Sequence, residues 1–587
     1  MKNRKKNIKS FILAAGYGSR LAPLTDAVPK PLISLLKMSL LENILFRLNK
    51  SGIEEFALNT HHLAPVIEKA VSASKWKNKI KIFHEPEILG TGGPLINARK
   101  FLHDSDAFLL HNGDIICDVD FQALIDFHFD SSAYVTMLMI DGPENKVAVN
   151  DGRVIDILGK LGHESDDEIM RTYAGISVFG KKIFDYLPEN VCSCSIITAI
   201  LELMKNHPEK VAAYLPEIRN PHKELYWNDL GTPTQYLNTL NLIQNDSLPI
   251  NGEKTTLITP MNPIPHPGAS DRFFFRISDY PENSKSSVVL CAPPDLPDNN
   301  YFVEYAQFFK KLAINAPEII SSKQDHSIVL MEDLGNDTIF SLVKKNSSEL
   351  EIIRIYKKVI DFLIDFQIKT YDAVKKQIFK NESSYSADIP EFRIFDKNYY
   401  LWETEYFSEN FLTGYLKLSS KKITSFKNFF SELADKACSH PKILIHRDFQ
   451  SQNILLKADK VAFVDFQGAR IGHVAYDIVS LLYDPYIPHL NDSLRKLFLD
   501  YYFNALQNSG VDDFFNITVN DFDEFQCTAA LQRLMQALGA YAFLALKKNK
   551  THYLDYIPNA FSSLKMVIES LTDSDSFKYI KTFEKLF

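Results

Sequence analysis

From Ile8 to about Asp141, the short apolar runs FILAAG, EEFALNT, IKIFHE, DAFLLHNGD and YVTMLMI alternate with LLENILFRLNKSG, APVIEKAV and DFQALIDFHF, whose apolar residues recur at helical spacing. Strand, helix, strand in that order leaves few solutions. Each helix has to cross back over the sheet, so successive strands lie parallel and helices cover both faces. The expected class is α/β, with a Rossmann-like, mostly parallel sheet in the first half. The pattern fails between Asn241 and Ser270, where five prolines (249, 260, 263, 265, 267) collect. A chain of 587 residues exceeds one core, and the divisions expected are 1–247, a proline-rich linker 248–267, and 268–587. The last begins with a few strand-like runs and continues in long helical segments rich in Phe, Tyr and Leu, as a small α+β lobe followed by a mostly helical one.

Charge and cysteine usage exclude several classes. With 65 basic against 73 acidic residues and a net charge of −8, there is no basic footprint, and nucleic acid is not an expected partner. Six cysteines form neither a disulfide framework nor a CxxC site, and Cys192 and Cys194 read as two buried thiols rather than a metal fragment. The start, MKNRKKNIKSFILAAG, reads as a solvated tail entering a first strand. No apolar run reaches the eighteen or so residues of a membrane span, so no membrane partner and a cytoplasmic location are expected.

In FILAAGYGSRLAPLTDAVPKPL, Gly16 and Gly18 follow a strand directly, which lets backbone N–H groups face a phosphate chain. Leu21 stands where a dinucleotide fold wants its third glycine, and the Gly-Lys-Ser/Thr of a P-loop is missing. Alone, Gly-x-Gly reads equally well as a plain strand-to-helix turn. Arg20, and Lys30 between Pro29 and Pro31, add the cations that phosphates require.

These residues resemble the signature of the sugar-1-phosphate nucleotidylyltransferases. The resemblance runs over residues 8–245 and includes Leu89-Gly-Thr-Gly-Gly93, Asn112-Gly-Asp114, Tyr173-Ala-Gly-Ile-Ser177 and Trp227-Asn-Asp229-Leu-Gly-Thr-Pro233. It implies in-line attack of a sugar-1-phosphate oxygen on the α-phosphorus of a nucleoside triphosphate, with cations stabilising the charge that builds. On that resemblance Ala15, Gly16, Gly18, Gly90, Thr91 and Gly92 bind the nucleotide, while Gly93, Asn112 and Gly175 bind the sugar phosphate. Arg20 meets the leaving phosphates, Lys30 lies beside the α-phosphate, and Asp114 with Asp229 holds Mg²⁺. His61 and His62 read as a satisfied loop pair.

In ILIHRDFQSQNILLKADKVAFVDFQG, Asn453 follows Asp448 by five positions, and Asp465 follows Asn453 by twelve, after a hairpin with Ala-Asp at its tip. That spacing resembles the kinase-like catalytic loop, in which Asp448 would deprotonate a hydroxyl while Asn453 and Asp465 hold Mg²⁺ on ATP. With Gly268–Arg276, Val288–Pro294 and Val329–Gly335, the second half is similar to the aminoglycoside-phosphotransferase superfamily, nearest its anomeric N-acetylmuramate and N-acetylglucosamine kinases. The run Met331 to Leu334, through Glu332, would then be the adenine-holding hinge. Cys291 stands where a protein kinase carries its phosphate-pairing lysine, leaving Arg272 and Arg276 as candidates for that cation. Asp477 is read as a brace for the loop and Glu304 as solvated helix charge; Trp402, Glu403 and Arg533, in the helical segments after Tyr399, are candidates for the acceptor pocket, with ordinary core or surface roles the weightier reading for each.

Taken together, the expectation is a bifunctional enzyme using ATP, UTP and Mg²⁺ at two sites, with a sugar and a sugar phosphate as its small-molecule partners. The alternatives are a mannose- or heptose-1-phosphate guanylyltransferase fused to its sugar kinase, or a choline kinase fused to a phosphocholine cytidylyltransferase.

Overall fold

A computed structural model describes the chain except for residues 1–5, 143, 163–167, 220–224, 249, 251–259, 265–271, 278–285, 346–347, 379–389, 488–489, 512–513, 515 and 573–576. Packing gathers it into two compact units, Met1–Leu296 with Ile320–Met331, and Pro297–Ile319 with Glu332–Phe587.

The first unit is built on a nine-stranded sheet. Its strands are β1 (Ile8–Leu13), β2 (Glu55–Thr60), β3 (Ile80–His84), β4 (Ala107–Asn112), β6 (Val135–Ile140), β7 (Val147–Asn150), β8 (Arg153–Ile157), β9 (Ile169–Gly180) and β10 (Val211–Tyr214), in the order β3-β2-β1-β4-β9-β6-β10-β8-β7. The pairs β3-β2, β2-β1, β1-β4 and β6-β10 are parallel, as the alternating pattern requires, whereas β9 is inserted antiparallel between β4 and β6. Alternate residues along each strand enter different cores. Ile12, Leu58 and Leu109 join one core with the helices Leu40–Lys50, Phe121–Asp130 and Pro233–Gln244. Phe11, Ala57 and Phe108 join the other with the helix Ile196–Asn206. Helices therefore cover both faces. Two short strands outside this sheet, β5 (Ile115–Cys117) and β11 (Trp227–Asp229), pair antiparallel with Asp229 opposite Ile115. Thr232 then caps the helix that follows, its Oγ1 accepting the Gln235 N–H at 3.3 Å, with Pro233 at the first helical position.

Packing does not follow the pattern-based divisions. A five-stranded sheet, β12 (Met261–Ile264), β13 (Phe273–Ile277), β14 (Ser287–Cys291), β15 (Ile319–Ser322) and β16 (Ile328–Glu332), is gathered largely with the first unit. The apolar face of β13, Phe273, Phe275 and Ile277, shares one core with Tyr236, Leu237 and Leu240 of the helix Pro233–Gln244. Part of the expected linker is thus β12; its residues 249, 251–259 and 265–267 lie outside the described residues, as does the Gly268–Asp271 stretch.

The second unit is mostly helical, with long helices Glu349–Ile378 and Val519–Leu546. Its short strands are β17 (Arg393–Ile394), β18 (Lys442–Ile445), β19 (Ile454–Lys457), β20 (Lys460–Phe463) and β21 (Arg470–His473). The β19–β20 hairpin turns on Ala458 and Asp459, at φ 47° and 67°, the left-handed pair that a tight hairpin of this hand needs. Among the described residues, no helix is long and apolar enough to cross a membrane.

Candidate functional sites

The β5–β11 pair brings together carboxylates from distant parts of the first half, and Leu230 N–H donates to the Asp114 carbonyl at 3.0 Å. Between them lies Lys30, which is buried, with Nζ 2.8 Å from Asp114 Oδ2 and 3.6 Å from Asp229 Oδ1. Arg20 Nη2 lies 3.5 Å from Asp229 Oδ2 and stays 60% exposed. Four residues chosen from sequence therefore meet. Asp229 Oδ1 is buried without a hydrogen bond, an oxygen suited to a hard cation that keeps several waters. Asp114 and Asp229 fit Mg²⁺, which when bound neutralises phosphate charge.

The glycines are there for close approach. Gly18 has φ 66°, and a Cβ on it would meet Thr25 Cγ2 at 2.9 Å. A Cβ on Gly231 would meet the Arg20 guanidinium at 2.4 Å, so Arg20 lies directly over this glycine. Gly175, at φ 73°, makes room for the Asn112 amide, which a Cβ would meet at 2.6 Å. The Gly90–Gly93 loop lies on the Cys192–Cys194 backbone: Gly92 N–H donates to Cys194 O at 2.9 Å and Cys194 N–H to Leu89 O at 3.1 Å. Thr91 Oγ1 accepts the Ile196 N–H at 3.0 Å, which ties the same loop to a helix start. Cys192 is exposed and Cys194 half-buried, which corrects the reading of two buried thiols; the segment has to reach the surface to carry the loop.

A polar chain that sequence reasoning missed ties these loops together. Ala14 N–H donates to Asn59 Oδ1 at 2.7 Å, Asn59 Nδ2 donates to Glu85 Oε1 at 2.8 Å, and Glu85 Oε2 accepts the Leu89 N–H at 3.0 Å. The only signal was a carboxylate just past the apolar strand IKIFH, the end at which α/β sheets place their sites. His61 bonds Glu85 O and Tyr17 OH, and His62 bonds Thr25 O, so the pair is satisfied as expected.

In the second unit, the loop after β18 carries Asp448. Buried Asp477 holds it from below, accepting the backbone N–H groups of His446 at 2.6 Å and Arg447 at 3.0 Å. Burial pushes the Asp477 carboxyl up to about 7 against those two bonds. Asp484 was missed by sequence; it accepts both Ser451 N–H, at 2.9 Å, and Ser451 Oγ, at 2.6 Å. Asn453 Nδ2 donates to Asp448 O at 2.9 Å, leaving its carbonyl oxygen available, and Asp465 accepts from Gln467 at 2.6 Å through Oδ1 only. The oxygens of Asn453 and Asp465 are a donor set that suits Mg²⁺.

Around Asp448 stand two of the acceptor candidates for which ordinary roles weighed more. Arg533 Nη2 lies 3.8 Å from Asp448 Oδ1, and Arg447 Nη2 lies 3.6 Å from the buried Glu403. Burial alone would push the Asp448 carboxyl up; Arg447 and Arg533 outweigh it and hold it below the usual carboxylate range. Arg533 and Glu403 are therefore parts of this site, brought in by the helices Val519–Leu546 and Lys397–Phe407. No local motif marks either one.

At the expected hinge, Lys457 Nζ donates to Asp333 O at 2.7 Å and lies 3.1 Å from Glu332, while Glu332 N–H donates to Glu318 O at 2.8 Å. Cys291 is a core residue whose thiol burial pushes up to about 12. Glu304 is exposed, as expected.

Residues 9–246 match the nucleotidyl transferase family, and residues 263–511 match the phosphotransferase enzyme family. The chain joins a nucleotidyl transferase domain to a phosphotransferase-family domain. Mannose-1-phosphate guanylyltransferase catalytic subunit beta of Xenopus tropicalis is 39% identical over 239 residues, covering 39% of this chain and 63% of its own length. The bifunctional protein GlmU of Methanococcus aeolicus is 31% identical over 254 residues, 42% of this chain and 56% of its own. N-acetylmuramate/N-acetylglucosamine kinase of Pseudomonas aeruginosa is 22% identical over 308 residues, 51% of this chain and 83% of its own. The chain thus spans less than two thirds of the length of the first two relatives. The lysine between two carboxylates lies within the nucleotidyl transferase domain, and the Asp448 loop within the phosphotransferase domain.

Proposed function

We propose that this chain phosphorylates a sugar at its anomeric hydroxyl with ATP and then transfers a nucleotidyl group from UTP to the sugar 1-phosphate, releasing pyrophosphate. N-acetylmuramate or N-acetylglucosamine is the favoured sugar, and Mg²⁺ serves both sites. The functional divisions proposed are 1–247 and 268–587. The observation that carries the reading is two polar clusters in one chain, Lys30 set between Asp114 and Asp229, and an arginine-flanked Asp448 beside Asn453, whose chemistry suits phosphate transfer at both. The product of the second site is the substrate of the first.

In the phosphotransferase domain, Asp448 stays ionised beside its arginines and takes the proton of the attacking hydroxyl. Asn453 and Asp465 hold the metal, and the backbone of Glu332 and Leu334 meets the adenine. In the nucleotidyl transferase domain no covalent nucleophile is required. Lys30 meets the α-phosphate and Arg20 the leaving phosphates, supplying positive charge where it develops. The backbone from Ala15 to Gly18 and the Gly90–Gly92 loop receive the nucleotide, while Gly93, Asn112 and Gly175 receive the sugar phosphate.

A second reading, GTP with a mannose-type sugar, is favoured by the 39% identity to a mannose-1-phosphate guanylyltransferase. One experiment separates the two. Purified chain is given ATP, Mg²⁺ and either UTP or GTP with N-acetylmuramate, N-acetylglucosamine, mannose, a heptose or choline, and products are followed by mass. The expected result is a UDP-sugar, with Asp114→Asn halting at the sugar 1-phosphate and Asp448→Asn giving neither product. Phosphocholine as the sole product overturns the proposal.

A further inference from the structure

The helix Lys397–Phe407, which meets Arg447 of the Asp448 loop through Glu403 and Tyr399, presents Tyr399, Trp402 and Tyr406 at positions i, i+3 and i+7, along one stripe. Trp402 and Tyr406 stack with centroids 5.5 Å apart and planes 20° apart, and Tyr399 lies 5.3 Å from Trp402. The same helix turns Glu403, 0% exposed, inward to Arg447, whereas Trp402 remains 48% exposed. A large indole left half in water on a helix tied to the catalytic loop costs apolar burial, and a ligand that covers it would recover that.

What could cover it is limited by charge. The Arg470 guanidinium lies over the Tyr399 ring at 4.3 Å and that of Arg447 at 5.6 Å, and Arg533 Nη2 lies 3.8 Å from Asp448. A quaternary ammonium needs open aromatic faces and no competing cation; here the Tyr399 ring already carries two guanidiniums. A pyranose offers an apolar C–H face to an indole and a hydroxyl edge to a carboxylate.

We infer that Trp402, backed by Tyr406, is the acceptor shelf of the phosphotransferase domain, on which a pyranose lies with its C–H face while a hydroxyl reaches Asp448. The assignment rests on the sugar-kinase reading above and names the surface that reading left open.

The test uses the full chain, whose three tryptophans are Trp76, Trp227 and Trp402. N-acetylglucosamine is titrated with ATP and Mg²⁺ while tryptophan emission is followed in the wild type and in Trp402→Phe. The expected result is a saturable emission change in the wild type that is lost in Trp402→Phe. In kinetics, Trp402→Ala raises the sugar KM about tenfold with kcat held within about threefold, and Trp402→Phe recovers most of the loss. Because Trp402 is half exposed, unchanged thermal melting serves as the folding control. An unchanged KM in Trp402→Ala overturns the shelf while leaving the kinase reading intact. An emission change with choline and none with any pyranose also overturns it, in favour of an ammonium site. Should no sugar be phosphorylated, the kinase reading fails, and the emission titration still decides whether pyranoses bind on Trp402.

Discussion

The buried ring of Tyr236 stacks on Phe275, with centroids 6.3 Å apart and planes at 27°, and its hydroxyl donates to the Ser34 carbonyl at 2.6 Å. One side chain thus ties together the helix that follows Asp229, the segment that follows Lys30, and a strand of the five-stranded sheet. Tyr236→Ala or Phe275→Ala should each cost about 3–5 kcal/mol. The double variant should fall short of the sum by more than about 0.5 kcal/mol, because the two rings share a core. Denaturant unfolding checks this, and strict additivity would count against a common core. A chain ended after Ser247 uncovers Tyr236, Leu237 and Leu240, and should aggregate where the full chain stays dispersed.

Gly231→Ala offers a way to disturb Arg20 without changing charge. The added methyl would meet the guanidinium at 2.4 Å, and the flexible end of Arg20 has to swing away. Thermal stability should change little, while the KM for the nucleoside triphosphate rises about ten- to a hundredfold, as expected when a charge-assisted contact worth about 1.5–3 kcal/mol is lost. Pyrophosphate release measures it; an unaltered KM would remove Arg20 from the nucleotide site.

Two buried histidines of the first half set an acid limit. Burial lowers His111 and His128 each to about 4, from 6.5. The unfolded chain therefore binds protons that the folded one refuses between pH 6.5 and 4, so the stability they contribute is complete above pH 6.5 and is lost as pH falls through that window. At pH 5 the loss is on the order of 2 kcal/mol for each. The His111→Gln/His128→Gln variant should show a flatter melting temperature between pH 7 and 5, and an equally steep one would refute the assignment.

Asp484→Asn should slow phosphorylation without touching nucleotidyl transfer. The carboxylate accepts two bonds from Ser451, three residues beyond Asp448, through Oδ2 and the Tyr486 N–H through Oδ1, so an amide there would have to point N–H at a donor on one side or the other. A fall of about 10²-fold in kcat is expected if the loop shifts by about an ångström, with UTP-dependent turnover of supplied sugar 1-phosphate unchanged. A matched fall in both reactions would mean global damage instead.

Much of this was written locally in the chain. The alternation of FILAAG, EEFALNT and IKIFHE with helical segments fixes β1, β2 and β3 as parallel neighbours, since a strand's pattern and its crossover helix are contiguous. Arg20, Lys30, Asp114 and Asp229 were legible because each sits within two residues of a glycine or proline that betrays a turn. Glu85 and Asp484 were not, and Arg533 and Glu403 stood only as acceptor candidates outweighed by ordinary roles. Each acts through a partner 26 to 129 residues away, as Asn59 does for Glu85 and Gln532 for Glu403, and nothing near them in sequence marks that partner. The division at 248–267 followed proline content, whereas packing followed the period-two stripe Phe273, Phe275, Ile277, which finds its apolar partner back on the helix Pro233–Gln244.

Cys291 extends the point from description to history. Its thiol lies wholly inside the core that holds Tyr236 and Phe275. A lysine substituted at that position would set an ammonium among aromatic rings, where a charge is not tolerated without a partner. No single substitution can therefore restore the strand lysine of protein kinases to this chain. A phosphate-gripping cation in the phosphotransferase half would have to come from another position in the chain.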